Sequence, residues 1–525
     1  WMQFHDLQVS DILDFAAENH GDALMASRMG DGHVVHHDYA ELHARARRMA
    51  AALARLGVAR GERVATLAWN HHRHFELYYA VPGVGAVIHT INPRVPPEQM
   101  AYMLDTAQDR VLCFDTDLVP VVEAMLARAQ TRPLLIELCD GEPNMSGALG
   151  YERLLEEHAH GADWLRMDER EPFGLCFTSG TTGPPKGVQY THRSTVLHAM
   201  ACCSAEAQAL SSRETVLPVV PLFHANGWGL PHSAPMVGAR LVMPGRRLDA
   251  TSLLELCRRE AVSFVCGVPT VWQLMLEEID RTGGTPPSLV RAGMGGSAPS
   301  RAMVEKLESL GMDVFHAWGM TETNPGAGTG GLKPRHLAEP LAQRIERKRT
   351  QGRPIFGLQR RLVDEQGHEV PRDGRSPGHL MVRGNWVVDR YINSDAPTVD
   401  GWFDTGDIGT LDGDGTLRLV DRAKDLIKSG GEWISSIELE NCAMACPGVA
   451  QVAALGKPDD TWGERPLLVV VVKPGAQADA SAVLATMAPH VAKWQLPEEV
   501  IFRDTMPLTA TGKIDKKALR SAIFG

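Results

Sequence analysis

Short apolar runs of strand length recur along this chain, with helix-length stretches between them. Arg63–Ala68, Val111–Phe114, Arg240–Met243 and Ser263–Cys266 are the clearest. Strands alternating with helices build parallel sheets covered on both faces, because each parallel crossover must pass over the sheet. The stretches between carry helical periodicity. Ser10 is placed to cap a helix through Ile12, Leu13 and Phe15, and Tyr39–Leu56 reads as an Ala- and Arg-rich amphipathic helix. At 525 residues the chain exceeds what one hydrophobic core organises, so two or more domains are expected.

After about residue 375 the texture changes. Gly378–Gly384, Gly406–Leu411 and Gly415–Val420 read as short strands, with Asp412-Gly413-Asp414-Gly415 as a hairpin turn. A third unit begins near residue 425, with a helix at 435–445, strands at 449–456 and 467–473, and a helix at 480–492. The basic stretch 333–351 reads as a solvated surface helix or loop. The expected fold class is α/β: a large N-terminal domain of two doubly covered sheets plus a β-rich subdomain, then a small mobile α+β C-terminal domain.

The balance of 53 basic against 64 acidic residues gives a net charge of −11, which argues against a general nucleic-acid or anionic-membrane binder. Nine cysteines without a CxxC pair have neither zinc-site nor disulfide-framework spacing. No basic-then-apolar leader and no run of eighteen apolar residues occurs, so no membrane span and a cytoplasmic location are expected. Trp1, standing before Met2, is set aside.

The sharpest chemical signal is Thr178-Ser179-Gly180-Thr181-Thr182-Gly183-Pro184-Pro185-Lys186-Gly187. Glycines let backbone N–H groups approach an anion, hydroxyls donate to it, and the lysine adds a point charge. The run follows strand-like Gly174–Phe177, and no GxxxxGK[ST] spacing can be drawn through it, so it is not a Walker A loop. Further motifs are Gly295-Gly296-Ser297-Ala298-Pro299, Trp318-Gly319-Met320-Thr321-Glu322, Asp404-Thr405-Gly406-Asp407, Asp421–Lys428, Ser429–Trp433 and Pro507–Asp515.

In this order the motifs resemble the adenylate-forming superfamily of acyl-CoA synthetases, firefly luciferase and peptide-synthetase adenylation domains, over essentially the whole chain. The resemblance implies an ATP-dependent acid–thiol ligase using ATP, Mg²⁺ and coenzyme A. It implies a domain at 2–421 with its β-rich subdomain at about 352–421, a hinge at 422–424 and a mobile domain at 425–525. Catalytic roles fall to Lys186, Thr321, Glu322 and Lys513, with Glu322 and Thr181 at the metal. Thr178–Gly183 would cradle the phosphates, and Gly296–Pro299 with His316, Ala317, Trp318, Gly319 and Met320 would line the adenine site. Trp318 stands where the family usually has Tyr. Asp407, Leu419 and Arg422 would hold the ribose or phosphate. Lys424 would be the pivot, and Lys428, Ser429, Gly430, Gly431, Glu432 and Trp433 the coenzyme A channel.

For the acid, the resemblance points to His224, Trp228, Gly293, Gly295 and Asn324. The lining candidates Trp228, Gly293, Met294, Gly295, Trp318 and Asn324 are mostly apolar or small, with no Lys or Arg to pair a second carboxylate, which favours a monocarboxylate. His224 is a positioning candidate, since a carboxylate is already ionised at neutral pH and needs no base. Phe223–Gly229, with Ile91–Arg94 and Lys493–Pro497, resembles bacterial ligases for short- and medium-chain fatty acids and for 3-methylthiopropionate, and Gln495 stands where some of the latter carry a second Trp. A homodimer is expected by the same resemblance. Two alternatives remain: an adenylating enzyme that loads a separate carrier protein, and a luciferase-like oxidoreductase.

Overall fold

The computed structural model describes residues 2–178, 184–430, 432–509 and 514–525. The chain divides into two compact units, one of residues 1–359 and 383–397, the other of residues 360–382 and 398–525.

The first unit holds two large sheets among the described residues. The seven-stranded sheet runs in the order Leu149–Gly150, Leu134–Glu137, Val111–Phe114, Arg63–Leu67, Val87–Thr90, Pro172–Phe177, Gly187–Thr191. It is parallel except at its last strand, where Pro172–Phe177 and Gly187–Thr191 pair antiparallel with Phe177 opposite Gly187. The nine-stranded sheet has a parallel centre, Arg240–Met243, Thr215–Pro218, Phe264–Gly267, Arg291–Met294 and Asp313–Trp318. Antiparallel strands close both of its edges. The four apolar runs singled out in the sequence are all strands, buried along nearly their whole length.

Helices cover these sheets. Tyr39–Arg55 is capped by Asp38, whose carboxylate accepts from the Glu41 N–H at 2.7 Å, and its apolar face carries Leu42, Ala46, Met49 and Leu53. The first helix corrects one expectation. It spans Val9–Asn19, and Ser10 lies buried inside it instead of capping it. Its start is set by tertiary bonds: the Val9 N–H donates to His192 Nδ1 at 3.2 Å, and the Gln8 amide donates to the Met167 carbonyl at 2.7 Å.

The second unit contains a sheet built on Trp402–Leu411, which pairs antiparallel with Gly378–Gly384 on one side and with Leu417–Arg422 on the other. Asp412 to Thr416 turns the chain between them, with the Gly415 N–H donating to the Asp412 carbonyl at 2.9 Å. A separate sheet carries Val449–Asp459 and Gly463–Val472, covered by Ser436–Ala443 and Ala480–Met487. The latter helix is shorter than the expected 480–492.

The basic segment 333–351 forms a short turn, Pro334–Ala338, and the helix Leu341–Lys348. Its charges are paired, Arg347 with Glu339 and Lys348 with Asp313, while Ile345 enters the core of the nine-stranded sheet. All nine cysteines are free thiols, and no helix among the described residues is long and apolar enough to cross a membrane.

Candidate active site

The glycine-threonine loop joins two antiparallel strands, so its two ends meet. The Thr178 N–H donates to the Lys186 carbonyl at 2.9 Å, and the Lys186 N–H donates back to Thr178 Oγ1 at 3.3 Å. Ser179, Gly180, Thr181, Thr182 and Gly183 lie outside the described residues, as do Gly431 and Lys513. The Lys186 ammonium sits 5.0 Å from the centroid of the Tyr391 ring, within cation–π range.

The strand Asp313–Trp318 delivers the second motif. At its end a glycine is required by space. A Cβ on Gly319 would stand 1.1 Å from the Pro325 carbonyl oxygen. One tight turn, Thr321–Thr323, follows, and Asn324 leaves it in the left-handed region at φ 54°. Thr321 and Glu322 are buried. The Tyr190 hydroxyl donates to the Thr321 carbonyl at 2.8 Å, the Val388 N–H to the Glu322 carbonyl at 2.8 Å, and the Tyr391 hydroxyl to Glu322 Oε1 at 2.9 Å. Among the described residues no group of three His, Cys, Asp or Glu side chains could hold a metal by itself. A single carboxylate fits Mg²⁺ nonetheless, because that ion takes most of its ligands from water and substrate phosphates. His316 lies deeper, its Nδ1 2.9 Å from the Arg349 carbonyl oxygen, and burial pushes its pKa down to about 4.

Of the residues expected to meet the acid, Trp228 sits on strained backbone. Ala225, Asn226, Gly227 and Trp228 all have φ between 46° and 57°, one turn of left-handed helix. Such a conformation costs on the order of 1–2 kcal/mol for each non-glycine residue and persists only where surrounding bonds impose it. Here the Asn70 amide donates to the Pro218 and Val220 carbonyls and accepts from the Leu222 N–H. The Tyr78 hydroxyl donates to the Leu222 carbonyl at 2.6 Å, and the Gln208 amide to the Trp228 carbonyl at 3.1 Å. The turn presents the Trp228 indole against Gly295, where a Cβ would lie 2.8 Å from the ring. His224 immediately precedes the turn. Asn324 donates to Thr195 Oγ1 at 3.3 Å, and Gly293 lies between the Phe264 and Phe315 rings. Gly296 continues the turn from Gly295 in the left-handed region at φ 82°, and the Pro299 carbonyl accepts from the Arg349 guanidinium at 3.0 Å.

In the second unit, Asp407 and Arg422 face each other across paired strands. Asp404 accepts from the Gly406 N–H at 2.9 Å, shaping the turn that carries Asp407. Leu419 lies on the same strand as Arg422, opposite Gly409. Lys424 is exposed, and the desolvation it does experience lowers its pKa. In the channel motif Lys428 stands opposite Trp433 and Ser429 opposite Glu432. The Gly430 N–H donates to the Trp462 carbonyl at 2.8 Å.

Sequence reasoning did not find Tyr190, Asn70, Tyr78, Gln208 or Tyr391. No local pattern marks them, since Tyr391 is 69 residues from Glu322 and Asn70 about twice that distance from the turn it holds.

A large α/β body with a smaller β-rich unit is also the architecture of solved acid-activating ligases. An anthranilate CoA ligase crystallised with anthranoyl-AMP superposes with a TM-score of 0.87 over 98% of this chain and 97% of its own, at 22% identity, a likeness of fold. The chain belongs to the AMP-binding enzyme family, matching it over residues 13–392 and matching the AMP-binding enzyme C-terminal domain over residues 438–513. It is 43% identical to a 3-methylmercaptopropionyl-CoA ligase of Ruegeria pomeroyi over 99% of this chain and 98% of that one. It is 41% identical to a medium-chain-fatty-acid–CoA ligase of Ectopseudomonas oleovorans over 99% and 96%.

Proposed function

We propose that this chain activates a short- or medium-chain monocarboxylic acid, 3-methylthiopropionate among the candidates, as its acyl-adenylate and passes the acyl group to coenzyme A. It is an AMP-forming acyl-CoA synthetase, in keeping with the full-length identity to CoA ligases of both kinds. The observation that carries the residue assignment is the gathering of Lys186, Thr321 and Glu322 around Tyr190 and Tyr391 at the closed end of the phosphate loop.

In the first half-reaction the acid's carboxylate attacks the α-phosphorus as pyrophosphate leaves. Lys186 lies against the departing phosphates and the Thr321 hydroxyl donates to the α-phosphate. Charge stabilisation of this kind is most of what catalysis at phosphorus requires. Glu322 would hold Mg²⁺, which supplies positive charge to the triphosphate when bound. Lys513 covers the reacting carboxylate in this step and is withdrawn in the next by rotation at Lys424. In that arrangement residues 2–421 and 425–525 are the working domains and 428–433 lines the path of the thiol. The thiolate then attacks the acyl carbon and AMP leaves. The apolar setting of Trp228, Gly293 and Gly295 suits an uncharged acyl tail. A cytoplasmic homodimer completes the reading.

Pyrophosphate release measured against a panel of acids, with and without coenzyme A, tests it. Acid-dependent release with thioester formation from C3–C10 monocarboxylates is expected. Turnover of dicarboxylates alone, or adenylation without transfer to coenzyme A, would overturn it.

A further inference from the structure

Residues 383–397 belong to the first unit although the chain on both sides of them belongs to the second. This return segment is bonded to both halves of the candidate phosphate site. Trp386 Nε1 donates to the Gly326 carbonyl at 2.9 Å, and the Val388 N–H holds the Glu322 carbonyl. Tyr391 forms a backbone bridge with Val188, and the Ile392 N–H donates to the Gly187 carbonyl at 2.9 Å. The Asn393 side chain accepts from the Gly187 N–H at 3.3 Å and donates to the Pro185 carbonyl at 3.1 Å. The backbone next to Lys186 and the backbone of Glu322 are therefore tied to one short strap.

From this arrangement we infer that Tyr391 is a positioning residue for nucleotide binding, its hydroxyl orienting the Glu322 carboxylate and its ring seating the Lys186 ammonium. The inference rests on the adenylation reading above and deepens it. The phenol is buried, which holds its ring and its hydroxyl in one orientation. A hydrogen bond to Oε1 fixes the plane of the carboxylate and leaves its other oxygen in a set direction. The face of the same ring offers the Lys186 ammonium a weak attractive seat. A flat, doubly anchored side chain thus keeps an anion and a cation, both meant for the nucleotide, in register before it arrives. Preorganisation of this kind lowers the cost of ordering them on binding.

Calorimetric affinities for ATP, measured with Mg²⁺ and with EDTA, separate the two contacts. Tyr391→Phe keeps the ring and loses the hydroxyl. It is expected to weaken Mg²⁺–ATP binding about tenfold, with metal-free ATP affinity and the melting temperature of the unliganded protein unchanged. Tyr391→Leu is expected to weaken metal-free ATP as well, by about threefold. In a Glu322→Gln background, Tyr391→Phe should add no further loss, because the two act through one contact.

Unchanged Mg²⁺–ATP affinity in Tyr391→Phe, equal loss with and without metal, or additive losses in the double variant would each overturn the inference. So would a Tyr391→Phe protein too unstable to purify, which would make the role structural. Wild-type protein whose ATP affinity is indifferent to Mg²⁺ would instead overturn the metal role of Glu322, and this inference with it.

Discussion

The Arg422 guanidinium donates to Asp407 Oδ1 at 2.7 Å, from a side chain 43% exposed to one 3% exposed. The carboxylate assigned to the ribose is thus already oriented by a charged partner, and the partner itself reaches toward solvent. Strand pairing makes this possible, since Asp407, midway along Trp402–Leu411, stands directly opposite Arg422, the last residue of Leu417–Arg422.

Asp407→Asn should therefore raise the KM for ATP by at least about tenfold. The amide offers a donor where both the ribose hydroxyls and Arg422 require an acceptor. Titrating ATP in a pyrophosphate-exchange assay checks this. A KM equal to that of wild type removes Asp407 from the nucleotide site.

Gly319→Ala should abolish activity and lower the melting temperature, because its Cβ has no room beside the Pro325 carbonyl and the turn bearing Thr321 and Glu322 must shift. Gly413→Ala is the matched control. Its Cβ meets nothing within 4 Å, so both activity and melting temperature should stay at the wild-type level.

Acid should destabilise the protein well before the carboxylates titrate. Burial lowers His37, His74, His192 and His316 to about 4, and His198 and His232 to about 3. Above pH 6.5 these rings are neutral in both states and the stability is fully present. Below 6.5 the unfolded chain takes up protons that the folded protein refuses. Stability is lost as pH falls toward 4, and on toward 3 for the last two, by up to about 1.4 kcal/mol per pH unit for each ring. Buried Glu76 and Asp109 and half-buried Glu440, whose pKa values are raised, oppose this trend. Urea midpoints between pH 7.5 and 5 should fall for wild type and fall less steeply for His232→Phe. Parallel slopes would refute the assignment for that ring.

Lys516→Met should cost about 3 kcal/mol in the second unit. The half-buried ammonium is bonded to Glu440 at 2.7 Å and to Ser436 Oγ at 2.5 Å, and it offsets Asp421 nearby. Removing it leaves buried Asp421 and half-buried Glu440 without the cation they share. A denaturant midpoint within error of wild type would show that the cluster relaxes.

Lys513→Ala should suppress adenylation from acid and ATP while thioester formation from a supplied acyl-adenylate largely survives. Lys424→Pro should show the reverse. Separate assays of the two half-reactions check both, and equal loss of both half-reactions in Lys513→Ala would count against its role.

The amino-acid sequence by itself determined the strands, the order of the motifs and the chemical class. Val111–Phe114 and Arg240–Met243 could be read because a buried strand is a local pattern of apolar residues, and the glycine-threonine loop because its chemistry is contiguous. Only the tertiary structure decided what holds those residues in place. It set the start of the first helix through His192 instead of Ser10, and the left-handed turn at 225–228 through Asn70 and Tyr78. It also returned Tyr391 to Glu322 and to the end of the phosphate loop. Such contacts join residues tens to hundreds of positions apart, and no window along a chain contains both partners. The physical reason is that side-chain chemistry is local, whereas orientation is fixed by whatever else packs into the same space.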